Sequence, residues 1–82
     1  MEIFYTKQAI KDLLALPRQT QNRIAEKMRF FAGADNPLDF AETLTDYDYG
    51  HYRFRVGDYR VTFDVVGGKI FVIKIGKRDE VY

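Results

Sequence analysis

The stretch His51–Tyr82, HYRFRVGDYRVTFDVVGGKIFVIKIGKRDEVY, decides the fold. Tyr52, Phe54 and Val56 alternate with His51, Arg53 and Arg55. Tyr59, Val61, Phe63 and Val65 alternate with Arg60, Thr62 and Asp64. Such period-two alternation gives each strand one apolar and one polar face. Gly57-Asp58 separates the two runs, and a two-residue loop of this type has the backbone twist a hairpin needs. Gly67-Gly68 ends the second run, either as another two-residue loop or within a longer one. Lys69–Ile75 is apolar on both faces, as in a strand covered on both sides or at the sheet centre. Alternation therefore leaves the register of that third strand open.

The first turn fixes a pairing. Val56 faces Tyr59, Arg55 faces Arg60, Arg53 faces Thr62 and His51 faces Asp64. On the other side Phe54 meets Val61, and Tyr52 meets Phe63. The two arginines placed opposite each other repel. Either they splay into water or an anion lies between them.

Working outward, 82 residues with 46% apolar content, seven phenylalanines and six tyrosines suffice for one small domain with one core. No apolar run reaches membrane-spanning length and no signal-peptide pattern is present, so no membrane partner is expected. The absence of cysteine removes disulfides and thiolate metal sites, and fits a reducing cytoplasm. A single histidine argues against a zinc site, and no metal or cofactor is expected. The net charge of +1 hides an asymmetry: residues 33–50 carry five acidic groups and no basic one, whereas residues 51–82 carry seven basic and four acidic. A concentrated basic face attracts a polyanion whatever the bulk charge.

Upstream, Glu2–Tyr5 reads as a short strand. Thr6 is a candidate N-cap for a helix from Lys7 to about Leu16, with Ile10, Leu13 and Leu14 as its apolar stripe. Pro17 ends it and opens a second helix to about Ala32, marked by Ile24, Met28 and Phe31, with Gly33 as C-cap. Gly33–Gly50 has no periodicity; Phe40 and Leu44 are expected against the core. Tyr47 and Tyr49, with Asp46 and Asp48, offer a fold-back over the basic strands. The expected fold class is α+β: an N-terminal strand and a helical hairpin on one face of a small, mainly antiparallel twisted sheet. The other face, with His51, Arg53, Arg55, Arg60 and Thr62, is expected to be open.

The chain has no serine, no phosphate-binding glycine loop and no paired-carboxylate signature. Arginines, one histidine and several tyrosines remain, an inventory suited to phosphate and unpaired bases. RNA can be cut with such parts, because its own 2′-OH attacks the adjacent phosphorus. Arginines stabilise the phosphoryl charge but are poor proton carriers. His51, beside Asp64, and Tyr82 are the titratable candidates. For His51 the plainer alternative is a surface polar pair, and for Tyr82 a loose terminus.

The run Tyr52-Arg53-Phe54-Arg55-Val56-Gly57-Asp58-Tyr59-Arg60-Val61, followed by an apolar strand, Gly76-Lys77-Arg78 and Val81-Tyr82, resembles the RelE/ParE superfamily of type II toxins. The helical hairpin and Leu44 also fit. The superfamily includes ribosome-dependent mRNA endonucleases and gyrase poisons. The RelE branch implies metal-independent cleavage of mRNA in the ribosomal A site by 2′-OH attack, and a cognate antitoxin partner. By position, the resemblance carries over to Arg53, Arg55, Arg60, Arg78 and Tyr82; Arg55, Arg60, Arg78 and Tyr82 are expected to be catalytic, and Arg53 and Arg55, together with His51 and Lys77, to bind RNA. This full basic set favours the endonuclease branch. Arg53 and Arg55 stand where RelE-type enzymes often have lysine, so both read as phosphate clamps and proton transfer has no assigned group. The alternatives are a ParE-like gyrase inhibitor and a non-catalytic module that docks an acidic partner.

Overall fold

The structure, a computed structural model, describes residues 1–44 and 50–77. It runs β1 (Glu2–Tyr5), α1 (Lys7–Leu14), α2 (Arg18–Gly33), a 3-10 turn (Pro37–Phe40), β2 (Glu42–Thr43), β3 (Tyr52–Val56), β4 (Tyr59–Val66) and β5 (Lys69–Lys77). The strands form one sheet in the order β1-β5-β4-β3-β2. β1 is parallel to β5, and the other neighbours are antiparallel. The helices lie on one face, giving the expected α+β layers. None of the described helices is long and apolar enough to cross a membrane.

The β3–β4 register is the one the turn dictates, with Val56 opposite Tyr59, Arg55 opposite Arg60 and Tyr52 opposite Phe63. Gly57 has φ of 59°, and a Cβ there would stand 3.2 Å from Arg23 Nη1 of α2. Glycine thus serves both the turn and the close approach of that guanidinium. Val66 pairs with Lys69, so Gly67-Gly68 is a two-residue loop. β5 sits between β1 and β4, which accounts for its apolar character on both faces. Its register slips at Thr62/Phe63: Thr62 pairs with Lys74 and Phe63 with Val72, leaving Ile73 as the extra residue of a bulge.

The core lies between the helices and the sheet. Ile24 and Met28 of α2 and Phe54, Val61, Phe63, Ile70 and Val72 of the sheet are fully buried. Phe31, Phe54 and Phe63 form a stack with centroid separations of 4.3 and 4.2 Å. This column ties α2 to the hairpin. α1 is fixed by polar contacts as well. The Thr6 hydroxyl caps the helix by accepting from Ala9 N (3.1 Å) and donates to the Ile73 carbonyl (3.0 Å). Asp12 Oδ2 accepts from Ile75 N (3.0 Å), beyond the point where β1 stops pairing with β5.

Four expectations need correction. The buried side of α1 is Ala9, with Leu13 packed beside the core; Ile10 and Leu14 are exposed. The small Ala9 lets a short helix approach the sheet closely, which turns the flanking residues outward. Gly33 is the last residue of α2, and Ala34 is its C-cap in extended conformation. Residues Gly33–Leu44 are not featureless: they contain the 3-10 turn and β2, which pairs with β3. Thr62 is fully buried, not open. Tyr47, Tyr49, Asp46 and Asp48 lie outside the described residues.

This packing sets a stability test. Phe63→Ala removes the end of the aromatic column and should cost about 3–5 kcal/mol. Ile10→Ala, on the outer side of α1, should change stability by no more than about 0.5 kcal/mol. Denaturant melts of the two variants distinguish these sites.

Candidate nucleic-acid interface

Residues paired directly across a sheet project to the same side. On the face away from the helices this produces three rows. Arg55 faces Arg60, which faces Gly76; Glu42, Arg53, Thr62 and Lys74 form the second row; Asp64, Phe71 and Phe4 lie in the third. Gly76, which has no side chain, is the buried cross-strand neighbour of Arg60. Arg55, Gly57, Asp58 and Arg60 line a small cleft of about 90 Å³ at the hairpin turn. Arg23 of α2 reaches the back of that turn.

An internal anion lies among these arginines, but it bridges Arg53 and Arg55 and not the opposed pair Arg55 and Arg60. Glu42, on the short edge strand β2, places Oε2 3.2 Å from Arg53 Nη2 and Oε1 2.8 Å from Arg55 Nε. The hydrogen bond from Arg53 and the charges of Arg53, Arg55 and Arg60 hold its carboxyl below the usual range, outweighing partial burial. The two arginines fare differently. Arg53 keeps only 13% of its side-chain exposure, whereas Arg55 remains 59% exposed. Arg53 is therefore a wall of the site, and Arg55 offers its guanidinium to solvent. Arg60 is half-buried, less open than alternation implies.

His51 and Asp64 meet as the register requires. Asp64 Oδ1 accepts from the His51 backbone N–H at 2.7 Å and lies 2.6 Å from Nδ1. Behind these residues the face is closed. Thr62 donates its hydroxyl to the Lys74 carbonyl at 3.1 Å. Leu44 N donates to the His51 carbonyl at 2.8 Å, which continues the β2–β3 pairing and puts Leu44 on this same side, apart from the main core cluster. Gly50, with φ of 124°, lies so close that a Cβ would stand 2.8 Å from the Phe63 carbonyl oxygen.

His51, Arg53, Arg55 and Arg60 are thus brought to one face. Lys77 is not: it pairs with Tyr59, so it belongs to the helix side of the sheet. A single residue of phase separates it from Arg60's neighbour Gly76. Arg78 and Tyr82 lie outside the described residues. Sequence inspection missed Glu42, Lys74 and Arg23. Glu42 stands in an aperiodic acidic segment, and only the two-residue pairing of β2 reveals it. Lys74 was hidden because the bulge shifts the phase of β5.

The ion pairs make a pH test. A carboxyl whose pKa is depressed on folding adds stability above its unfolded value, about 4.3 for glutamate, and loses that stability as pH falls through the folded value. The side chain is 43% exposed, so the effect is small. Wild-type protein should exceed Glu42→Gln in stability at neutral pH. The gap should close on acidification, as followed by denaturant melts across pH; a pH-independent gap would contradict the ion-pair assignment.

The comparisons with known proteins agree with this fold. The family model described as the ParE toxin of the type II toxin-antitoxin system parDE matches residues 3–82. No curated protein sequence matches significantly. Among solved structures, the toxin-antitoxin complex RelBE2 from Mycobacterium tuberculosis contains a chain with TM-score 0.78 and 22% identity, with 94% of this chain and 96% of that one covered. The archaeal RelE-RelB complex from Pyrococcus horikoshii gives 0.74 and 27%, with 98% and 97% covered. The intact RelBE complex from E. coli gives 0.71 and 16%, with 93% and 94% covered. With a family model spanning nearly its whole length, the chain belongs to the RelE/ParE superfamily of toxins from type II toxin-antitoxin systems.

Proposed function

We propose that this protein is a ribosome-dependent mRNA endoribonuclease, neutralised by a cognate antitoxin. The observation that carries this reading is the arginine face of the β3–β4 hairpin, with an ionised carboxylate built into it. The likeness to chains from RelE-RelB complexes supports an antitoxin partner. Arg55 and Arg60 flank the cleft at the turn and would hold the non-bridging oxygens of the scissile phosphate. Arg53 would position Glu42 and Arg55. Arg78 would add a further charge and Tyr82 would orient the reacting nucleotide. Lys77 has no place on this face.

The reaction needs a group to accept the proton of the 2′-OH. Glu42 is in its accepting form at neutral pH and lies among the arginines, so we assign it that role. Its depressed pKa limits its basicity. The 2′-oxygen bonds to phosphorus, the P–O5′ bond breaks and the departing 5′-oxygen takes up a proton. We assign that second transfer to His51, which lies on the same face four residues along the chain from Arg55. The ribosome would supply the in-line alignment of the nucleotide.

A second reading has one observation in its favour: the matching family model carries the name of ParE, whose branch includes gyrase poisons. A non-catalytic module docking an acidic partner is the third. Expression in cells separates them, as cut mRNA, DNA damage or no growth effect.

The chemistry is tested on mRNA ends. The upstream fragment should carry a 2′,3′-cyclic phosphate or its opened form, and the downstream fragment a 5′-OH. A 2′-deoxy nucleotide at the scissile position should block cleavage, and chelator should not, provided the ribosome stays intact. Arg60→Ala should slow cleavage roughly a hundredfold or more, the scale of losing one oxyanion donor. A 5′-phosphate on the downstream fragment would mean a water nucleophile and would overturn the mechanism.

A further inference from the structure

The third row of the same face carries a feature that cleavage does not use. Phe4 and Phe71, paired across β1 and β5, stack with centroids 5.4 Å apart and planes 19° from parallel. Phe4 is 40% exposed at the sheet edge. Lys69 Nζ stands 5.5 Å from the Phe4 ring centroid, within cation–π range. Further along β5, Lys74 lies on the same face between this stack and Gly76, the neighbour of Arg60. Asp64, the carboxylate beside Phe71, is engaged by His51.

We propose that the Phe4–Phe71 stack is a platform on which a base of single-stranded RNA, flanking the scissile nucleotide, stacks while Lys69 and Lys74 hold its backbone. This deepens the function proposed above and rests on the arginine face being an RNA surface. Phe71 and Gly76 face Asp64 and Arg60, four steps apart on β4, which is about 13 Å of strand and a span of a few nucleotides. Exposed phenylalanines on a sheet are by themselves open to many occupants. Here the Lys69 ammonium, with Glu2 as its cross-strand neighbour, stands on one side of the rings, and Lys74 and the guanidinium groups stand on the other. The ligand that satisfies both is a polyanion with flat apolar faces. Ring stacking of this kind tolerates any base, so the platform would add affinity without adding sequence preference.

The chain contains no tryptophan, so Phe4→Trp introduces a single fluorescent reporter at the platform. Titration with a short single-stranded RNA of mixed sequence, labelled for anisotropy, reads binding and stacking separately. Tryptophan quenching should saturate at the same RNA concentration as the anisotropy change. Phe4→Ala should weaken binding about five- to a hundredfold, the range for one stacked base. It should leave the salt dependence unchanged. Arg60→Ala should instead flatten the log–log salt slope by roughly 0.7, the value of one lost phosphate contact on a single strand. Anisotropy without quenching, with Phe4→Ala binding like wild type, would overturn the platform and leave the arginine face intact. Absence of binding to any of these proteins at low salt would overturn both. Quenching by an acidic antitoxin peptide but not by RNA would make the stack a protein contact and would also defeat the proposal.

Discussion

The two-residue turn at Gly57-Asp58 constrains everything else in this molecule. A strand pair has only two faces, and a slip of one residue exchanges them. With Val56 held opposite Tyr59, Phe54 and Phe63 must enter the core and Arg55 and Arg60 must share the other face. The first consequence is a stacked aromatic column from Phe31 of α2 through Phe54 to Phe63. The second is a concentration of positive charge that the fold must manage. The same register therefore builds the core and the site.

Management of that charge falls to β2. Glu42 pairs in register with Arg53 and reaches Arg55. Two residues of strand suffice because the backbone pairing continues through Leu44 to His51. One carboxylate among three arginines leaves the face positive while restraining two of the guanidinium groups. Arg53 becomes mostly buried and Arg55 stays exposed, so two residues of one type, two positions apart, have different parts in the site. A lysine at Arg53 would present a point charge in place of a planar fork and could not reproduce that contact geometry.

Strong local signals made the hairpin and its register legible in the sequence: strict alternation on both sides of a Gly-Asp pair. Thr6, Pro17 and the Ile24, Met28 and Phe31 spacing likewise marked the helices. What failed did so for non-local reasons. The inward side of α1 depends on close approach at Ala9, which hydrophobic periodicity outvoted with Ile10 and Leu14. Thr62 alternates as a surface residue, yet it is buried between its cross-strand neighbours Arg53 and Lys74, with its hydroxyl donated to the Lys74 carbonyl. Lys77 sits one residue out of phase with the arginines because β5 aligns with Tyr59 there. Glu42 has no signal of its own, since a two-residue strand carries no periodicity.

Whether the arginine face acts on RNA or on another target is decided by a side-by-side assay. Purified protein is added in parallel to ribosomes programmed with a defined mRNA and to DNA gyrase with relaxed plasmid. An arginine face that acts on RNA should give mRNA cut within the codon in the A site, no cutting of the same mRNA without ribosomes at equal protein concentration, and full supercoiling by gyrase. Intact mRNA on the ribosome together with arrested gyrase would contradict action on RNA and move the protein to the other branch of its superfamily.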